Sequence, residues 1–178
     1  VAQRYGLIGA LLRNNDIPRA ARELTALRKK VRNNPMIETL AGQVNHAGKN
    51  DAATLAFYRQ AVQNFPQHRA LIYDYTDRLL QAKQTDTALK LITEQLIRHP
   101  SDTTLYGLQA KAYEMQGKTL EQHWALAYSY SWQGNVFAAI EQLELAKQAG
   151  GSFYQLSTIE SELKELREIV EPTENMQQ

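Results

Sequence analysis

Between Thr119 and Gly151 the small and large apolar residues fall into one repeating pattern. Leu126-Ala127, Tyr130, Gly134, Ala139, Leu143 and Ala146 follow one another at intervals of three to five. Apolar positions three and four apart share one face of a helix. The segment therefore predicts two amphipathic helices interrupted at Gly134. Small residues stand where the helices must touch, with larger ones beside them. The same three-to-four spacing runs through the rest of the chain, with almost no strand-like alternation.

Proline and glycine punctuate that pattern. Pro35, Pro66 and Pro100 lie 31 and 34 residues apart. Proline lacks an N–H and disfavours α geometry in the residue before it, so each should close one helix and open the next. A first unit, about Gln3 to Asn34, carries Tyr5, Ile8-Gly9 and Leu12 on one helix. Asn14-Asn15-Asp16 forms a turn, with Asp16 as N-cap and Pro18 in the first helical turn. Ala20, Ala21, Leu24, Leu27 and Val31 make the second stripe. The gap from its small residues Ala20 and Ala21 to Pro35 is larger than in the next units, which predicts a helix longer than the repeat average.

The second unit has Ile37, Leu40, Ala41-Gly42 and Val44, a turn at Gly48-Lys49-Asn50-Asp51, then Leu55, Tyr58 and Ala61-Val62. The third has Ile72, Tyr75, Leu79 and Leu80, a turn near Gln84-Thr85-Asp86, then Ala88-Leu89, Ile92 and Leu96. Ser101-Asp102 caps the fourth, whose helix bears Leu105, Leu108, Ala110 and Tyr113 and stops at Gly117. Gly117 and Gly134 are only 17 residues apart, half the earlier period. The helix between them must therefore pair with both neighbours. A last helix, about Phe153 to Ile169, shows Leu156, Ile159, Leu163 and Leu166 on one stripe and reads as a terminal cap. The expected architecture is all-α: about ten helices in antiparallel pairs over residues 1–170, then a frayed polar tail at 171–178. Ala127 and Gly42 should accept no large side chain.

Composition narrows the role. Lys and Arg total 20 against 19 acidic residues, a net charge of +1, so there is no chain-wide pull toward nucleic acid. With no cysteine, disulfides, thiol nucleophiles and thiolate metal sites are excluded. No apolar run approaches the roughly 20 residues that span a bilayer, and no signal peptide is visible. Val1 to Tyr5 reads as the interior of a helix, which suggests a piece of a longer protein with any targeting signal upstream.

No catalytic or metal-binding constellation emerges. His46, His68, His99 and His123 lack the i, i+4 spacing of a helical zinc pair, and there is no H-E-x-x-H. Glu141 and Glu144 read as a solvated helix face, and no glycine cluster has a phosphate-loop context. A stand-alone enzyme is the least supported reading. The basic run Arg28-Lys29-Lys30-Val31-Arg32 closes a helix, where cations suit the dipole. Docking on an acidic partner or an anionic membrane surface is its second reading.

The aromatic residues offer more. Trp124, Tyr128 and Trp132 share one face of the helix that serves twice, and Tyr130 falls on the core-facing stripe. By repeat phase, Tyr73 and Asp77 on one helix, and Lys111, Glu114 and Met115 on the next first-type helix, should point into the same hollow. Aromatic and methionine side chains on a curved surface suit a protein-binding face. The alternative is that Trp124 and Trp132 pack under the last helix against Phe153 or Tyr154.

Over about residues 3–150 these units resemble the tetratricopeptide repeat, in which helix pairs stack because neither helix can bury its stripe alone. The resemblance implies a right-handed superhelical solenoid with the first helix of each pair on the concave side. It does not extend to the chaperone-tail carboxylate clamp, because Gly6, Ala10, Thr39, Gln43, Tyr73 and Asp77 occupy the clamp positions. Over residues 101–169 the likeness becomes narrower. Gly117 to His123, Ala125 to Tyr130 with Gly134, Ala139 to Leu143 with Ala146, and Phe153-Tyr154 through Leu166 resemble the C-terminal repeat domain of periplasmic M48-family zinc metallopeptidases of the β-barrel assembly-enhancing type. That resemblance implies a periplasmic module. Its partners would be its own protease domain, the outer-membrane β-barrel assembly machinery and stalled substrates. Zinc would be held only by the protease half, which this sequence lacks, so the expectation here is a non-catalytic domain without cofactor. A general tetratricopeptide adaptor for another peptide or protein, cytoplasmic or secretion-related, is the alternative.

Overall fold

Each stretch with apolar residues at three-to-four spacing is helical. The computed structural model describes residues 1–48 and 51–174. Lys49 and Asn50 of the expected turn, and residues 175–178 of the expected tail, lie outside the described residues. Among the described residues there are ten α-helices. They are α1 (Ala2–Arg13), α2 (Ile17–Lys30), α3 (Pro35–Ala47), α4 (Asp51–Asn64) and α5 (Arg69–Gln81), then α6 (Thr85–Arg98), α7 (Thr103–Met115), α8 (Thr119–Trp132), α9 (Val136–Gln148) and α10 (Phe153–Glu174). Helix α10 runs past the end expected at Ile169, through Pro172 to Glu174.

Side-chain caps set several helix starts. Asp16 accepts from the Arg19 N–H at 3.3 Å, with Pro18 in the first turn of α2. Asn34 accepts from the N–H groups of Met36 and Ile37, and Pro35 opens α3 where a missing N–H costs nothing. Asp102 and Asn135 cap α7 and α9 in the same way. Such a cap contributes about 1 kcal/mol. The long gap before Pro35 is not spent on a longer helix. Helix α2 has 14 residues, as do α4 and α6. Val31 is instead extended, and Asn33 takes a positive φ of 53°, so the surplus residues form a linker. Asparagine tolerates that conformation better than most residues.

The chain divides into two compact units, Val1–Ala82 and Lys83–Gln178. In the first, consecutive helices pack together, and α3 also touches both α1 and α5. Ile8, Leu11, Ala20, Leu24, Leu27, Ile37, Leu40, Ala41 and Val44 form one cluster of its core, with Tyr5, Leu12, Val31 and Phe57 against it. Burying each such leucine or isoleucine is worth roughly 1.5–3 kcal/mol. Gly42 is buried at the α3–α4 contact, where a Cβ would overlap the ring of Tyr58. That ring is itself buried, stacks on Tyr75 with 6.4 Å between centroids, and donates its hydroxyl to Asp74 at 3.3 Å.

In the second unit α8 packs on both α7 and α9, which accounts for the shortened period. It buries small residues on two sides. Ser129 donates to the Thr103 carbonyl of α7 at 3.3 Å. Ala127 joins Leu120, Leu143, Ala146, Ile159 and Leu163 in a cluster shared with α9 and α10. Tyr130, expected on the core stripe, is only half-buried, because the close approach on each side favours alanine and serine.

The two joints of α8 have one design. Gly117 (φ 68°) and Gly134 (φ 75°) adopt the left-handed conformation that ends a helix. The following N–H, of Lys118 or Asn135, then donates 3.0 Å back to the carbonyl of Tyr113 or Tyr130. That residue also stands at the N-cap of the next helix. Repetition of this joint produces the 17-residue spacing of the glycines.

Candidate protein-binding site

Helix α8 presents Trp124, Tyr128 and Trp132 along one side, as their four-residue spacing requires. The three have different surroundings. Trp124 is half-buried against the α8–α9–α10 cluster and donates its indole N–H to Glu162 Oε2 of α10 at 2.8 Å. Tyr128 donates its hydroxyl to Oε1 of the same carboxylate at 2.7 Å. Its ring lies nearly parallel to Trp124 (centroids 6.4 Å, 17°) and to Tyr106 of α7 (5.3 Å, 26°). Trp132 ends the row and is 53% exposed.

So the last helix does hold Trp124, through Glu162 and through the apolar cluster that includes Ile159 and Leu163. Phe153 and Tyr154, offered as its packing partners, are 89% and 78% exposed. Sequence spacing could not reveal Tyr106 or Glu162, which join the site from other helices. The one available hint was that Glu162 falls three residues beyond the buried Ile159 of the α10 stripe.

Burial and the adjoining carboxylate shape the chemistry of the row. Burial, and then the hydrogen bond and charge of Glu162, push the Tyr128 phenol well above its ordinary range. Burial also raises Tyr106, partly offset by a hydrogen bond from Trp132. Both phenols, neutral at pH 7 in any case, keep their protons further into the alkaline range. Tyr128 forms a ridge between two grooves. One, about 270 Å³, is lined by Gln109, Tyr113, Glu121, Trp124 and Ala125. The other, about 230 Å³, has Ala127, Leu143 and Leu166 as its apolar lining and Glu162 and Glu165 beside them.

The remaining expected site residues lie on α7 and α5. Lys111 and Glu114 are exposed on α7, and Met115 is 44% exposed at its end. Tyr73 and Asp77 belong to α5 of the first unit, and both are half-buried. Asp77 accepts from Arg78 at 2.7 Å and from Gln81 at 2.9 Å, and Arg78 also meets His46 Nε2 at 2.6 Å. Among the described residues, no group of three or more His, Cys, Asp or Glu could hold a metal ion. No helix among them is long and apolar enough to cross a membrane.

A model of the tetratricopeptide repeat matches residues 46–112, from the end of α3 into α7. No curated protein matches the chain. Similar solved structures include the MamA RS-1 ArsTM double mutant, with a TM-score of 0.63 at 15% identity, covering 94% of this chain and 94% of that one. Another is MamA 41-end from Desulfovibrio magneticus RS-1, with a TM-score of 0.62 at 15% identity and coverage of 96% and 95%. At that identity the likeness speaks for architecture. The chain has the all-α tetratricopeptide fold of sequential antiparallel helix pairs.

Proposed function

We propose that this chain is a protein-binding scaffold whose work is recognition. The observation that carries this reading is the aromatic row on α8 beside two open grooves, within a fold of paired helices. Exposed Trp132 and Met115 and the partly exposed Tyr128 supply rigid or adaptable contact area, as interface anchors do. Photoreactive residues at positions 111 and 115 test the reading. They should crosslink one defined set of polypeptides, and Tyr128→Ala with Trp132→Ala should abolish that set while the helical content stays unchanged. Equal crosslinking by the double variant would refute it.

A finer reading rests on the resemblance of residues 101–169. In it the module is periplasmic and forms the repeat half of an M48-type zinc metallopeptidase. It would present β-barrel assembly components and stalled outer-membrane substrates to a protease domain. The shared helix α8, the joint at Gly117 and the capping helix α10 are the features that favour it. Its test is the gene upstream of Val1. A leader sequence followed by a metallopeptidase domain with H-E-x-x-H supports it, and further helical repeats point to the general adaptor.

A further inference from the structure

The groove between α8 and α10 combines an apolar lining with uncompensated negative charge. Ala127, Leu143 and Leu166 line it together with Tyr128, and Glu162 and Glu165 complete it from α10. Both oxygens of Glu162 accept hydrogen bonds, and among the described residues the donors are the neutral Trp124 indole and Tyr128 phenol. These donors fix the carboxylate without cancelling its charge, and a carboxylate retains further acceptor capacity. The nearby cations are turned to other acids. Lys147 pairs with Glu160 at 2.8 Å, Arg167 with Glu144 at 2.6 Å, and Lys164 with Glu168 at 3.9 Å. Among the described residues, no ion pair reaches Glu162 or Glu165.

We infer that this groove receives an arginine side chain from a positively charged, extended segment of a partner protein. The aliphatic stem lies on the partly exposed Leu166, and the guanidinium sits between the two carboxylates beside the Tyr128 ring. Arginine suits the position because its planar donors match carboxylates and its face stacks on aromatic rings. Complementary charge across a preformed groove gives orientation and selectivity. The inference rests on the reading of the chain as a protein-binding scaffold and gives its partner a chemical character.

The test uses a fluorescein-labelled nonapeptide of alternating arginine and leucine, with matched lysine and glutamate versions, titrated into the full chain by anisotropy. The arginine peptide should bind, the lysine peptide several-fold more weakly, and the glutamate peptide not at all. Glu162→Gln with Glu165→Gln should weaken the arginine peptide at least tenfold. Glu160→Gln with Glu168→Gln, which removes equal charge from the ion-paired acids, should change its affinity less than twofold. Glu165→Gln alone alters an exposed side chain and should cost several-fold, which decides the matter if the double variant fails to fold. Unchanged binding by Glu165→Gln overturns the inference, as does equal weakening by the two double variants. Loss of the inference leaves the scaffold reading intact if crosslinking at positions 111 and 115 still captures its defined polypeptides. If that capture fails, the scaffold reading falls, and a peptide affinity that still depends on Glu162 and Glu165 is then a property of the groove alone.

Discussion

Gly42 of α3 lies against the Tyr58 ring of α4 so closely that the ring occupies the place of a Cβ. Tyr58 cannot simply swing aside, because it is 1% exposed and its hydroxyl is held by Asp74. Gly42→Ala should therefore destabilise the protein by about 1–3 kcal/mol, the usual cost of overpacking. Gly107, inside α7, meets nothing within 4 Å at its Cβ position. Gly107→Ala should stabilise by about 0.5–1 kcal/mol, because glycine loses more freedom in a helix. Urea unfolding of the two variants checks both signs.

Asp74 provides a pH-dependent contrast. Burial raises its carboxyl above the usual range, while hydrogen bonds from Tyr58 and Gln43 and the charge of Arg78 oppose the rise. The folded chain therefore holds this proton more tightly than the unfolded chain does. Its contribution to stability is full below the unfolded value and is lost as pH rises through the folded value. Asp74→Asn should remove that loss while keeping an oxygen for Tyr58. The variant should gain on the wild type between about pH 4 and pH 7, as measured by urea melts at the two ends.

Tyr128 should respond in the alkaline range. Burial and the Glu162 carboxylate both favour its protonated form. The folded state thus keeps a proton that the unfolded state releases near pH 10, and stability should fall as pH rises above about 10. Glu162→Gln should move the Tyr128 titration downward, because it removes the charge while leaving the burial. Tyrosinate absorbance against pH, with Tyr128→Phe to assign the signal, measures the shift.

The α8–α9 joint supports a fourth expectation. Gly134→Ala places a Cβ on a residue with φ of 75° and should cost about 1–2 kcal/mol. Asn135→Ala removes the side-chain oxygen that accepts from Ala138 at 3.2 Å and should cost about 1 kcal/mol. Thermal unfolding of each variant, compared with Asn135→Asp, separates the cap from the turn.

Local chemistry explains what could be read in the chain. Asn34-Pro35, Asp16 with Pro18, Asp102, Gly117 and Gly134 each mark a helix boundary by a rule that acts within a few residues, and each boundary is present. The apolar stripes likewise identified the first core, since Ile8, Leu24, Leu27, Ile37 and Leu40 all meet there. Partnerships across distance were hidden. Trp124 and Glu162 are 38 positions apart, and Tyr58 and Asp74 are 16 apart. Periodicity says which face a side chain occupies but not which side chain stands opposite. The same limit applies to α2, where an extended Val31 and the positive φ of Asn33 absorbed the residues that spacing alone would assign to a longer helix.

Asn135 belongs to two helices at once, its N–H finishing α8 and its side chain starting α9. Such a junction has no slack. One added or deleted residue would unseat both ends together and turn Leu143 and Ala146 away from Ala127. Between Asn64 and Arg69 several residues separate the helices, and a change of length there could be absorbed locally. Descendants of this sequence should accordingly vary in length around Pro66 and keep a fixed count between Gly117 and Gly134.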